Sequence, residues 1–338
     1  QLHVEAPEGD EIRIWAGTPD YEKQPLILPA GPNTIRLMEH FGRFEGRFVI
    51  QLFGKGILLD ERIEEIKPGT PRLCSQSQKT PPAAPAPSGM VKIPAGKFTF
   101  KATNGDEFIP YPKDNQGKEF EMPDFYMDKH PVTNKQFKTF LEATDYQPRD
   151  TANFLKHWSG GKIPAGQENY PVVYLSYEDA QAYAAWCGKR LPTEVEWQYA
   201  AQTPAGNEWP WIQKKPVKRV LQEITGTLTV SNIEGIDPKH CNLGDGKPYP
   251  VGKYPKGANP FGLEDLTGCV WQLTNDLYAN GSYRYIILKG GSYFKPSSSW
   301  WYVQGGPREL HYRQYLLRIS EGFERNATVG FRCVKDAY

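Results

Sequence analysis

The sequence predicts an α+β protein in two parts, a small all-β domain followed by a larger domain of short strands, three helices and much irregular chain. Three observations lead there. The chain has 338 residues, about two domains at the usual ~150 residues each. The run Ser75–Ser88, SQSQKTPPAAPAPS, cannot build a core and favours an extended, semi-rigid linker. Glycine and proline, at 32 and 30 residues, are too frequent for a helical bundle or a coiled coil. The predicted division is residues 1–74, a small β-sandwich-like domain; 75–88, the linker; and 89–338, the larger domain.

Short alternating runs mark the first part. Leu2–Glu5, Ile12–Ile14, Leu26–Leu28, Thr34–Leu37 and Phe48–Phe53 read as strands, and Pro29-Ala30-Gly31-Pro32 reads as a turn between two of them. The pattern weakly resembles small bacterial envelope β-domains of the PEGA type, and it carries no catalytic constellation. After the linker, Met90–Phe98 reads as a strand pair around Pro94-Ala95-Gly96. Thr133 with Gln136 forms a capping box ahead of Phe137, Phe140 and Leu141. Ser176 starts a second helix with Ala180, Tyr183, Ala184 and Cys187 on one face, and Gly188 follows as its C′ residue. Thr193 with Glu196 caps a third, carrying Trp197, Ala200 and Ala201. From Trp209 onward periodicity fades, so aromatics, disulfides or bound ions must hold the chain.

Composition excludes several functions. Forty basic and 39 acidic residues leave a net charge of +1, without the basic surplus of nucleic-acid binders. No apolar run reaches the ~18 residues of a membrane span. There is no GxGxxG, Walker A, HExxH or GxSxG motif. The start at Gln1 is expected to mark a mature, secreted, periplasmic or cell-surface form. The five cysteines, Cys74, Cys187, Cys241, Cys269 and Cys333, lack CxxC spacing. They read as two disulfides and a spare thiol in an oxidising compartment, or as five thiols in the cytosol.

From Met90 to Lys335 the residues resemble the formylglycine-generating enzyme (sulfatase-modifying factor) family. The segments Met90–Phe98, Asp124–Phe137, Pro171–Tyr177, Gly188–Trp197 (GKRLPTEVEW), Pro250-Val251-Gly252, Gly262-Leu263, Leu288–Ser292 (LKGGS) and Gly330-Phe331-Arg332 occur in the family's order. The resemblance implies the compact, C-type-lectin-like form of α+β fold.

It also implies a chemistry that these residues do not supply. Family enzymes oxidise a substrate cysteine with two cysteines placed shortly before the Gly-Phe-Arg motif, where thiolates bind copper and exchange with the substrate thiol. No cysteine lies between Cys269 and Cys333, and the matching positions fall near Leu310 and Tyr315. Formylglycine-generating activity is therefore expected to be absent. A second branch holds iron with histidines from a partner helical domain. Here His3, His40, His130, His157, His240 and His311 stand singly, so neither a copper nor an iron site is evident. A third branch, resembling pyoverdine-maturation oxidoreductases, works without the cysteine pair.

The family's calcium loops have counterparts. Asn242, the Leu243 carbonyl and Asp245 match the first loop; Asp265, the Gly268 and Val270 carbonyls and Gln272 match the second. The second has Cys269 for the family's Asn and Gln272 for its Glu, which removes a charge. The resemblance implies disulfide candidates Cys187–Cys333 and Cys241–Cys269. It also places a ligand groove between Gly291 and Gly330, with Trp300, Trp301, Tyr302, His311, Tyr312 and Tyr315 as candidates. Sequons at Asn280 and Asn326, and a basic stretch within Ile212–His240, complete the reading. The function expected is a non-catalytic binding or structural subunit of a cell-envelope or extracellular assembly, with other protein subunits or a surface ligand as partners. The alternative is a cysteine-independent oxidoreductase of the third branch.

Overall fold

The computed structural model describes the chain except residues 20–23, 43–45, 67–69, 106–108, 114, 212–235, 281–282, 296–304 and 319–323. The chain divides into two compact units, residues 1–71 with 279–283, and residues 72–278 with 284–338.

The first unit is built from β1 (Leu2–Ala16), β2 (Leu26–Ile35), the short helix α1 (Leu37–Phe41), β3 (Gly46–Gly54) and β4 (Ile57–Ile66). Its described residues form one antiparallel sheet in the order β2-β1-β3-β4, not the two facing sheets of a sandwich. Ala6, Ile12, Ile14, Ile35 and Phe48 are buried together, with Phe41 of α1 packed on them. One layer of apolar side chains covered by a short helix needs no second sheet. The predicted Pro29–Pro32 turn lies inside β2. Proline is tolerated there because β2 is an edge strand, with a ladder on one side only.

The second unit contains β5 (Arg72–Leu73), β6 (Met90–Ile93), β7 (Gly96–Thr99), β8 (Thr103–Asn104), β9 (Glu119–Met122), β10 (Phe125–Asp128), α2 (Asn134–Thr144), α3 (Tyr177–Trp186), α4 (Glu194–Gln202), β11 (Trp271–Ala279), β12 (Arg284–Lys289), β13 (Tyr312–Leu317), β14 (Val329–Gly330) and β15 (Val334–Asp336). The main sheet runs β14-β11-β12-β13-β8, with β5 also on β11; a second runs β15-β10-β6. β6 and β7 do not pair with each other as predicted: β6 pairs with β10 and β7 with β9.

All three predicted caps form. The backbone N–H groups of Gln136, Asp179 and Glu196 donate to Thr133 Oγ1, Ser176 Oγ and Thr193 Oγ1 at 3.3, 3.1 and 3.2 Å. Each N3 side chain returns the bond to its N-cap N–H, so two helix-end donors are satisfied per box. Phe137, Phe140, Ala180, Tyr183 and Ala184 are buried together against β11 and β12 residues Leu273 and Ile286. Trp197, Ala200 and Ala201 enter a second core with Phe98, Phe125 and Leu310. Gly188 adopts φ +63°, the left-handed conformation expected past a helix end.

The proline-rich segment predicted as a linker is instead fastened within the second unit. Cys74 N donates to the Leu277 carbonyl at 2.7 Å, Leu277 N to Ser75 Oγ at 3.0 Å, and Thr80 N to Asp336 Oδ2 at 2.6 Å. Proline removes donors but leaves carbonyls and side chains able to dock, so composition alone does not make a spacer.

Candidate functional site

The Gly-Lys-Arg-Leu-Pro-Thr-Glu motif ends on Glu194, which lies buried at the start of α4. Arg313 of β13 donates to it from Nε at 2.9 Å and pairs through Nη2 at 2.8 Å. Lys289, at the end of β12, is fully buried; its Nζ lies 3.5 Å from Glu194 and donates to Gln198 Oε1 at 2.9 Å. Asp276 of β11 accepts the Glu194 N–H. Burial pulls Lys289 down to about 7 against the attraction of Glu194. Burial, reinforced by the Glu194 charge, pushes Asp276 up to about 7. This network ties helix to sheet. Sequence reasoning missed it, because a lysine closing the apolar strand RYIILK gives no sign of its partner.

The positions expected for the family's cysteines are interior. Leu310 is fully buried in the second core, and Tyr315 is 5% exposed, with its hydroxyl donating to Asn104 Oδ1 at 2.6 Å and its ring 4.7 Å from Tyr285. Tyr312 is also buried, 6.2 Å from the Trp271 ring with the Arg308 guanidinium 5.0 Å from its own. Tyr312 and Tyr315 are therefore core side chains, not groove walls. Strand alternation cannot separate the two roles when both faces of a strand are covered. His311 is half-buried beside them; Trp300, Trp301 and Tyr302 lie outside the described residues.

The two loops expected to hold calcium do come together. Cys241, Asn242, Tyr249, Tyr254, Asp265, Gly268, Cys269 and Tyr293 line one narrow cleft with about 10 Å³ of free space. That suits at most one water, not an organic ligand. Gly268, at φ +74°, lets the loops meet: a Cβ there would collide with the Asn242 carbonyl.

Their fit to calcium differs. In the first loop Asn242 Oδ1 already accepts Gly244 N and Asp245 N at 2.8 and 3.2 Å, and the Asp245 carboxylate accepts Lys247 N and the Tyr249 hydroxyl at 3.0 and 2.5 Å. One exposed carboxylate leaves most of calcium's six to eight oxygens to water. The second loop does not fit. Gln272 Oε1 accepts Trp197 Nε1 at 2.8 Å and Arg332 Nε at 2.7 Å, and its amide donates to the Asp265 carbonyl at 3.0 Å. Arg332 also donates to the Glu264 and Asp265 carbonyls at 2.7 and 3.1 Å, so a guanidinium already supplies positive charge there. Among the described residues, no three His, Cys, Asp or Glu side chains are arranged to hold a metal ion.

Neither expected disulfide is present, for all five cysteines are free thiols. Cys187 and Cys333 flank Tyr183 in one core, and Cys241 and Cys269 share the cleft, so the sequence placed the partners near one another. Burial raises Cys241 to about 12 and Cys269 and Cys333 well above the ordinary thiol value. Disulfides form through thiolates, which these sites suppress. A thiol titration without reductant is expected to count five thiols in denaturant and, in the native protein, a single fast one at the exposed Cys74. A count of three or one in denaturant would restore one or both disulfides.

Short capped helices laid on a mixed sheet make this an α+β domain. The chain belongs to the sulfatase-modifying factor enzyme 1-like domain family, whose profile matches residues 76–337. It is similar to the formylglycine-generating enzyme of Mycobacterium tuberculosis, 31% identical over 232 residues, covering 55% of this chain and 73% of that protein. It is similar to the inactive C-alpha-formylglycine-generating enzyme 2 of Bos taurus, 30% identical over 290 residues, covering 73% and 88%. Hercynine oxygenase of Mycobacterium tuberculosis is 31% identical over 219 residues, covering 51% and 46%. Among solved structures, PvdO from Pseudomonas aeruginosa superposes with a TM-score of 0.48 at 22% identity, covering 73% of this chain and 94% of that one. No helix among the described residues is long and apolar enough to cross a membrane.

Proposed function

We propose that this chain is a binding or structural subunit of an envelope or extracellular assembly, built on a formylglycine-generating-enzyme-type domain that does not oxidise cysteine. One observation carries the reading: no cysteine lies between Cys269 and Cys333, and Leu310 and Tyr315, at the expected thiol positions, are packed into the core. A relative named as inactive supports the same reading. The second reading is a cysteine-independent oxidoreductase of the pyoverdine-maturation type; a relative named as an oxygenase supports oxidoreductase chemistry only in general terms. A weakly held, largely hydrated calcium on Asn242, the Leu243 carbonyl and Asp245 belongs to the proposal as a structural ion.

One native preparation tests these statements. The protein is expected to carry no stoichiometric copper or iron, to form no aldehyde on a cysteine-containing sulfatase-type peptide when copper is supplied, and to co-purify with other subunits from its source. Stoichiometric redox metal with turnover would establish the oxidoreductase instead. Calorimetric titration of chelator-treated protein should show a weak calcium heat that Asp245→Ala removes; silence in the unsubstituted protein would eliminate the ion.

A further inference from the structure

The two edges of the N-terminal sheet are treated differently by the sequence. On one edge, β2 carries Pro29 and Pro32, which withhold ladder donors and block further pairing. On the other edge, β4 contains no proline in its ten residues, ILLDERIEEI. Every described residue of β4 from Ile57 to Glu65 is exposed. Ile57 is 68%, Leu59 54% and Ile63 53% exposed, and Leu58 is exposed beside them. A long edge strand with aliphatic side chains in water is a surface that proteins normally blunt or cover.

The charges decide what covers it. The strand begins with the aliphatic run Ile57-Leu58-Leu59 and continues through Asp60, Glu61, Arg62, Glu64 and Glu65. Four carboxylates against one guanidinium leave it strongly acidic, and Arg62 is already engaged with Asp60 at 3.2 Å. Pairing with β4 of a second copy would set two acidic strands side by side, which like-charge repulsion disfavours. A basic strand gains on both counts.

We propose that the edge of β4, unpaired among the described residues, is a docking site for an extended peptide segment of a partner protein, aliphatic at one end and rich in lysine or arginine at the other, added as a fifth strand. Backbone hydrogen bonds would supply affinity; Ile57, Leu58 and Leu59 and the acidic half would supply selectivity. The inference deepens the reading of the chain as a binding subunit and rests on it. Its failure would leave the metal and activity assays above untouched.

The test uses the full chain and two synthetic ten-residue peptides. Each carries three valines at one end; the other end has three lysines among threonines in one peptide and three glutamates in the other. By calorimetry, the lysine peptide is expected to bind roughly tenfold or more tighter than the glutamate peptide, a difference of about 1.4 kcal/mol or more. Raising salt to about 0.5 M should erode that preference. Methylating alternate peptide amides should abolish binding in one phase and spare it in the other, because only one edge of the added strand faces β4. The double variant Glu61→Lys/Glu65→Lys should lose the preference without losing its fold, since both side chains are exposed. Equal binding of the two peptides, no binding of either, or tolerance of methylation in both phases would overturn the proposal. So would a dimer by light scattering that Leu59→Lys dissolves, which would give the edge to a second copy.

Discussion

Arg332→Met is expected to cost about 3–5 kcal/mol of stability, because several buried acceptors lose their donor together at about 1–3 kcal/mol each. The guanidinium is fully buried and donates to Gln272 Oε1, to the Asp128 and Lys129 carbonyls at 3.0 Å each, and to the Glu264 and Asp265 carbonyls. It therefore joins β10, the second polar loop and β11 at one point. Methionine fills similar volume but leaves four backbone carbonyls without that donor. For a unit of this size the expected fall in melting temperature is roughly 10 °C. Arg332→Lys separates charge from geometry. Lysine keeps the positive charge but lacks the planar fork that reaches both pairs of carbonyls, so it should recover only a minor part of the loss. Recovery close to the unsubstituted protein would show that charge alone is required. A loss below about 1 kcal/mol for Arg332→Met, measured by urea unfolding, would remove the arginine from this central position.

The Glu194 network is expected to make stability depend on pH in two opposing arms. Asp276 titrates at about 7 in the folded chain and near 4 when unfolded. Between those values the folded state holds a proton that the unfolded state has lost. This contribution is full at acid pH and falls as pH rises, by up to about 1.4 kcal/mol per unit. Lys289 titrates at about 7 when folded and near 10.4 when unfolded. There the unfolded state holds the extra proton, so stability rises with pH at up to the same slope. The charged groups around this pair are Glu194, Glu196 and Arg313, and together the two arms place a minimum near neutrality. Urea unfolding from pH 5 to 9 reads the effect as a difference between proteins. Lys289→Met should flatten the alkaline arm. Asp276→Asn, which keeps an acceptor for the Glu194 N–H, should flatten the acid arm. Curves for both variants parallel to the parent's across the whole range would show that neither group is buried in the form that shifts it.

Local chemistry was legible wherever a short segment decides its own conformation. Thr133, Ser176 and Thr193 announce helix starts because the capping bonds close within four residues. Gly188 announces a helix end for the same reason. The family motifs carried the fold because they record packing that composition does not. The β4 strand escaped notice because its apolar run and acidic run show no alternation, and β2 was broken in two by prolines that an edge strand tolerates. The candidate site was legible in membership more than in role. Residues of both calcium-type loops line one cleft, yet Gln272 faces Arg332 and all five cysteines are free.

By itself, the sequence determined where helices begin, which family the residues resemble, and that no cysteine lies between Cys269 and Cys333. Tertiary structure alone decided that the proline-rich stretch is fastened to Asp336, that Tyr312 and Tyr315 are core, and that a buried arginine stands at the second polar loop. The division follows from range. Capping and turn preferences act between near neighbours, whereas burial and the partner of a charged group are set by residues 60 to 256 positions away.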